Sequence, residues 1–245
     1  MVVQREPRIV PVHDSLSALF GVVSFSLLVP PVALRALSAL WPAWAESPWM
    51  IVAGIVVQQG CLLVLALWRL GKAGVSWGSL RPYVERPKEL AIGVSWGVTL
   101  LLINGLCVQL SIALINALFG EEAVRALLGR EQALTRLAVA AADPWVSGAV
   151  VFGAVGLAPV VEELFFRGYV HGVLKAHTGG YAVWLSALLF AGVHRYVINF
   201  LPLFVLGVAL ARLYERAGSL ATAIVAHAAV NASVTVIAAL ARSLT

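Results

Sequence analysis

The sequence predicts an all-α fold: a polytopic transmembrane bundle of about seven or eight helices around an intramembrane polar site. Three observations predict it. The chain of 245 residues is 61% hydrophobic and only 12% charged, whereas soluble domains are about 45–50% apolar and about 25% charged. Its mean hydropathy is +0.93. Apolar runs of about 20 residues, the length that crosses a bilayer, recur along the chain. The net charge of +5 reads as an orientation signal. The basic residues sit between apolar runs and form no patch with aromatics, so no nucleic-acid partner is expected. The bilayer itself is the first partner.

Residues 1–14 are polar and expected to be cytoplasmic. Ser15 to about Leu40 is the first apolar run. Pro30, Pro31 and Arg35 interrupt it, which predicts one broken span, and the run lacks a small-residue cleavage site, so it is expected to be retained. Trp41 to Trp49 suits an interfacial turn. Met50 to Leu70 is a clean second span, and Gly71 to Lys88 a basic loop. Leu90 to Phe119 is long enough for a tilted third span. From Glu121 to Ala142, Val124, Leu127, Leu128, Leu134, Leu137 and Ala138 recur at helical spacing. Glu121, Glu122, Arg125, Arg130 and Gln132 take the other side. This predicts an amphipathic helix at the membrane interface, or a connecting helix packed on the domain. Trp145 to Leu174, Tyr181 to Val193, Ile198 to Tyr214 and Ser219 to Leu240 are the fourth to seventh spans. The last four are short and closely joined, a pattern that suits broken or re-entrant helices.

With the N-terminus inside, the inner side carries eleven of the seventeen Lys and Arg residues. These are Arg5, Arg8, five residues from Arg69 to Lys88, Arg167, Lys175, Arg212 and Arg216. The bias favours a cytoplasmic N-terminus. The absence of organelle-targeting features favours a bacterial inner membrane. Cys61 and Cys107 lie in apolar runs without CxxC or Cys/His spacing, so buried packing is expected rather than a disulfide or zinc framework.

The stretch 159–168, PVVEELFFRG, places two carboxylates and an arginine in an apolar run. An ionisable residue inside a span marks a functional site by default. Glu163 and Arg167 are four apart and can pair on one helical face. Glu162 points about 100° away, without a local partner. Pro159, lacking an N–H, can kink the helix one turn earlier. Downstream, Phe190 and His194 end the fifth span. His227 and Asn231, four apart, share a face of the seventh. Any one of these polar groups alone is accounted for by interhelical hydrogen bonding. Two acids, two histidines, an arginine and an asparagine within about 70 apolar residues exceed what helix adhesion needs.

Their chemistry suits hydrolysis. A carboxylate and an imidazole can share a water and remove its proton. A second histidine and an amide can donate to the oxyanion. Two histidines and a carboxylate could instead hold zinc, but no HExxH occurs. Helical spacing leaves open which glutamate is the base.

The three pieces resemble the three motifs of the CPBP family, which contains the type II CAAX prenyl endopeptidases and the bacteriocin-immunity-like (Abi) membrane proteins. Glu162, Glu163 and Arg167 match the first motif, Phe190 and His194 the second, and His227 and Asn231 the third. The intervening text is similar too: Phe204 to Gly207, Leu210 to Tyr214, and Ala217 to Leu220, with Ala217 where the family commonly has Thr. The resemblance covers about residues 145–245. It implies a catalytic core there, with residues 1–144 supplying N-terminal spans and the amphipathic helix within one membrane domain.

The resemblance implies an intramembrane endopeptidase of glutamate type. Glu162 with His194 would activate water, and His227 and Asn231 would stabilise the oxyanion. Glu163 and Arg167 would orient the site, and Phe190 would pack beside it. The substrate would be a membrane-bound peptide or protein, either a prenylated CaaX sequence or a short signal or lipopeptide. The arrangement works without metal, and that reading is preferred. Were the reaction metal-dependent, Glu162, His194 and His227 would hold zinc. The competing readings are a non-catalytic immunity or scaffold protein of the same family, and a small proton-coupled transporter. Read as simple spans, Glu162 and His227 fall near mid-membrane while His194 falls late in its span. They converge only where the fourth or fifth helix is kinked, tilted or short.

Overall fold

The structure, a computed structural model, describes residues 12–45, 47–75, 87–140 and 143–243. The polar start with Arg5 and Arg8, the loop arginines Arg81 and Arg86, and Ala142 lie outside the described residues. Among those described, every regular element is helical. In chain order they are α1 (Leu16–Leu40), α2 (Pro42–Ala45) and α3 (Trp49–Lys72). Then come α4 (87–119) and α5 (121–140), and α6 (144–178). The last three are α7 (Ala182–Val193), α8 (Phe200–Ala217) and α9 (Leu220–Ser243).

The first helix differs from expectation. It starts at a Ser15 cap, whose Oγ accepts from Ala18 N–H at 3.2 Å, and runs unbroken through Pro30 and Pro31. Pro30 cannot donate to the carbonyl four residues back, that of Ser26. Gln58 Nε2 on α3 donates to that carbonyl instead, at 3.4 Å. A neighbouring helix thus satisfies the freed carbonyl, which lipid cannot do.

The third span and the amphipathic helix meet at Gly120, whose φ of 83° and ψ of 170° break the ladder. Only glycine adopts such a conformation without strain. On α4 the soluble-protein pattern is inverted. Leu102, Leu106, Leu110, Leu114 and Leu118 form an exposed stripe at four-residue spacing, the face that lipid covers. The opposite face is small. A Cβ on Gly97 would lie 2.5 Å from the Cβ of Ala229, and one on Gly93 would lie 2.9 Å from the carbonyl of Thr222. Small residues let α4 and α9 approach closely, which substitutes for a hydrophobic drive that lipid does not provide. On α5, Val124, Leu127 and Leu128 pack against Ile115 and Ile198, while Glu121, Glu122 and Arg125 are exposed. Its described apolar face therefore rests on the protein.

Among the described residues, five helical stretches are long and apolar enough to cross a membrane: Leu16–Leu40, Trp49–Lys72, Leu90–Glu131, Pro144–Val193 and Leu220–Ala241. The chain is an integral membrane protein. The fifth and sixth expected spans are shorter than simple crossings. With 12 residues, α7 is only about 18 Å long against a hydrocarbon core of about 30 Å. The last turns of α8 carry Arg212, Glu215 and Arg216. These two helices pack side by side as a hairpin, and the turn between them begins at His194. Cys61 and Cys107 are both free and half-buried.

One end of the bundle is tied together by Asp14. It accepts from Arg69, with Nε at 2.8 Å and NH2 closer still, and from the Tyr169 hydroxyl at 2.9 Å. His177 Nε2–H donates to its carbonyl at 2.7 Å. Burial alone would raise the Asp14 carboxyl, but the Arg69 and Tyr169 hydrogen bonds outweigh it and hold it below the usual range. The residues just before α1, the end of α3 and the end of α6 therefore share one side of the bundle. The apolar core gathers Leu19, Leu65, Phe165, Phe190 and Leu210, among others, and the polar site sits within it.

Gly97→Val should overpack the α4–α9 contact, at a cost of about 1–3 kcal/mol, and displace the helix that carries His227. Melting temperature in detergent checks this, with Gly105→Val as the control, since nothing lies within 4 Å of a Cβ there.

Candidate active site

The site is built on α6, which is not a uniform α-helix. It runs as α over Pro144–Val151, widens into a π-helix over Phe152–Leu157, and returns to α over Ala158–Glu163. It widens again over Leu164–Val170 before a last α stretch, His171–Thr178. π segments inside α-helices concentrate at functional sites. Pro159 explains one partner at the first of them. Ala158 N–H donates to the Gly153 carbonyl, five residues back. The same step for Pro159 would reach the carbonyl of Ala154, but proline has no N–H. Asn231 Nδ2 on α9 donates to that carbonyl at 2.8 Å. The second N–H of the amide is not used by this bond.

Glu163 is fully buried, and Arg167 and His227 are nearly so. Arg167 NH1 meets Glu163 Oε1 at 2.9 Å, the pairing that the four-residue spacing predicts. Arg167 NH2 donates to the Gly207 carbonyl on α8 at 3.1 Å, and the guanidinium carbon lies 4.8 Å from the centre of the Phe190 ring on α7. The same Glu163 oxygen accepts from His227 Nδ1 at 2.9 Å. With Nδ1 held by a carboxylate, Nε2 is the nitrogen left for chemistry. It lies 3.9 Å from Glu162 Oε2.

Glu162, without a partner on its own helix, has one from elsewhere: Gln59 Nε2 on α3 donates to Glu162 Oε1 at 3.0 Å. His194 caps α7, and its Nδ1–H donates to the Phe190 carbonyl at 2.7 Å. Its ring centre is 4.9 Å from that of Phe190, which is 5.8 Å from that of His227. Phe190 thus packs between the two imidazoles. The short α7 brings His194 to this depth. Among the described residues, His194 makes no hydrogen bond or ion pair with Glu162 or His227. The structure therefore joins Glu163, Arg167 and His227 by hydrogen bonds, sets Glu162 3.9 Å from His227, anchors Asn231 on α6, and links His194 to them through Phe190.

Two polar residues were not singled out by the sequence reading. Gln59 is one. Glu131 on α5 is the other: its buried carboxylate accepts from the N–H groups of Val197, Ile198 and Asn199 at 2.7, 2.9 and 3.1 Å. It also accepts from Asn199 Nδ2 at 2.7 Å. This clasp caps the start of α8 and holds the turn that begins at His194. Next in that turn is Arg195, the one non-glycine residue with positive φ (56°) among those described. A non-glycine residue there costs about 1–2 kcal/mol, which the Glu131 bonds offset. A glutamate one position from the expected polar face carried no signal of this role.

Among the described residues, no group of three His, Cys, Asp or Glu side chains is placed to hold a metal ion. Glu162, His194 and His227 do not converge as a ligand set, so no step is derived through a metal.

Fold and site together define a membrane-embedded helical protein with two glutamates, a histidine and an arginine gathered in its buried interior. Residues 143–233 match the family model described as Type II CAAX prenyl endopeptidase Rce1-like. The matched stretch covers somewhat more than a third of the chain and contains every motif residue from Glu162 to Asn231. It agrees with the resemblance carried by the three motifs. No curated protein matches the chain, and no solved structure does.

Arg167→Ala should cost about 3–5 kcal/mol, because it leaves the Glu163 carboxylate buried and uncompensated. An unchanged melting temperature in detergent would count against the pairing. Glu131→Ala should cost about 2–3 kcal/mol through the N–H groups it strands. Thermal unfolding and proteolysis at the turn after His194 would report that loss.

Proposed function

We propose that the chain is an intramembrane endopeptidase in which Glu162 is the general base. The observation that carries this reading is the 3.9 Å gap between Glu162 Oε2 and His227 Nε2. It is too long for a hydrogen bond, and separations beyond about 3.5 Å between polar groups suit a bridging water. Glu162 removes the proton of that water as its oxygen attacks the scissile carbonyl carbon. The C–N bond then breaks, and Glu162 returns the proton to the leaving amine. The second N–H of Asn231 faces the developing oxyanion, and His227, whose Nδ1–H is given to Glu163, joins it from Nε2 in the protonated form of the ring. His194, whose Nδ1–H is already engaged, offers Nε2 to the same water or to the substrate. Glu163 and Arg167 hold His227 in place. The substrate is a membrane-associated peptide, either a prenylated CaaX sequence or a short signal or lipopeptide. The protein sits in a bacterial inner membrane with its N-terminus in the cytoplasm. The reaction uses no metal.

The test is cleavage of quenched prenylated CaaX peptides and short membrane peptides in liposomes, with and without a chelator. Glu162→Gln and Asn231→Ala should each abolish cleavage while the protein stays folded, and the wild type should be indifferent to chelator. Loss with chelator and restoration by zinc would move Glu162 and the histidines to ligand roles. Wild-type cleavage that survives Glu162→Gln would overturn the assignment of the base. Proton flux in place of cleavage would favour a transporter.

A further inference from the structure

The first half of the chain supplies a residue to this site. Gln59 lies in the middle of α3, flanked along that helix by long apolar stretches, and it is 7% exposed. Its amide donates to Glu162 Oε1 at 3.0 Å, while its own Oε1 is buried without a hydrogen-bond partner. A glutamine that only joins two helices satisfies both ends of its amide, because a buried unpaired acceptor costs stability. This one keeps its donor on a single carboxylate oxygen and leaves its acceptor open beside it. Adjacent Gln58 turns the other way: it faces α1 and donates to the carbonyl of Ser26, freed by Pro30.

The consequence for Glu162 is geometric. A glutamate side chain has three rotatable bonds and no partner on its own helix here. Fixing Oε1 by a hydrogen bond from α3 fixes the plane of the carboxylate, and so directs Oε2 at His227. A general base must sit within hydrogen-bond reach of the proton it takes, and small misplacements of a reacting group are costly in rate. We propose that Gln59 is a positioning residue for Glu162: its amide locks one carboxylate oxygen so that the other is presented to the attacking water. The proposal rests on the endopeptidase reading, and its test separates the two.

The variant is Gln59→Met, which keeps the length and unbranched shape of the side chain and removes the amide. Gln59→Leu is the second variant, should the first fold poorly. Two readouts are taken on the full-length protein in detergent. The first is the rate at which dicyclohexylcarbodiimide modifies Glu162, with Glu163 as the internal reference, read by peptide mass spectrometry. Losing the donor frees Oε1 for the reagent, so Glu162 should be modified at least about three-fold faster, with Glu163 unchanged. The second is cleavage of whichever peptide the wild type accepts. There kcat should fall about ten- to hundred-fold with KM within about two-fold, the pattern of a group that acts in the transition state.

Unchanged labelling and unchanged kcat would overturn the proposal. So would a rise in KM at constant kcat, or faster labelling of both glutamates with a collapsed melting temperature, which marks a packing role. A wild type that cleaves nothing, together with the selective rise in Glu162 labelling, would support the Gln59 contact and overturn the endopeptidase reading.

Discussion

A guanidinium with 2% of its surface exposed is the constraint from which the interior follows. Desolvating such a charge costs several kcal/mol unless it is paired and every donor finds an acceptor. Arg167 draws its partners from three helices. Glu163 on its own helix supplies the charge, the Gly207 carbonyl on α8 takes a second donor, and the Phe190 ring on α7 covers the face. Glycine at 207 admits this, since a Cβ there would press on Ala187 at 3.0 Å. Glu163 in turn accepts from His227 on α9. One buried ion pair thereby sets where α6, α7, α8 and α9 stand relative to one another, and the second histidine of the site is positioned as a by-product.

The N-terminal helices solve a different problem, the lack of water to satisfy backbone groups. Pro30 on α1 removes an N–H, and Gln58 on α3 fills the gap it leaves at Ser26. Pro159 on α6 removes another, and Asn231 on α9 fills the gap at Ala154. The first exchange holds two spans together. The second holds a residue of the site. The same physics, an orphaned carbonyl in a medium that cannot hydrate it, serves stability in one half of the molecule and geometry in the other.

Much of this is local, and local features were legible. The Glu163–Arg167 pair follows from a spacing of four, and the hinge at Gly120 lies where the apolar run gives way to an amphipathic one. The breadth of each lipid-facing run gave the membrane class. What was not legible is what depends on partners distant in sequence. Gln59 stands 103 positions before Glu162, and a lone amide in an apolar run has no period to betray it. Glu131 lies 66 positions before Val197 and reads as one more polar residue on an amphipathic face. The prolines at 30 and 31 suggested a break because the compensating donor belongs to another helix. Likewise, the mismatch in depth between His194 and His227 resolves only through the shortness of α7 and the ring of Phe190, which a hydropathy pattern does not encode.

The π segment over Phe152–Leu157 has a consequence for how this helix tolerates changes in length. A π turn closes over one residue more than an α turn, so it takes up an extra residue while the flanking stretches keep their facing. Losing a residue from this segment would let the ladder close as α-helix without turning Glu162 away from α9. The carbonyl that Asn231 grips would stay free, since Pro159 offers no N–H in either register. Along a helix where insertion or deletion ordinarily rotates everything downstream by about 100°, this turn is the place where chain length can drift and the acidic pair stays aimed.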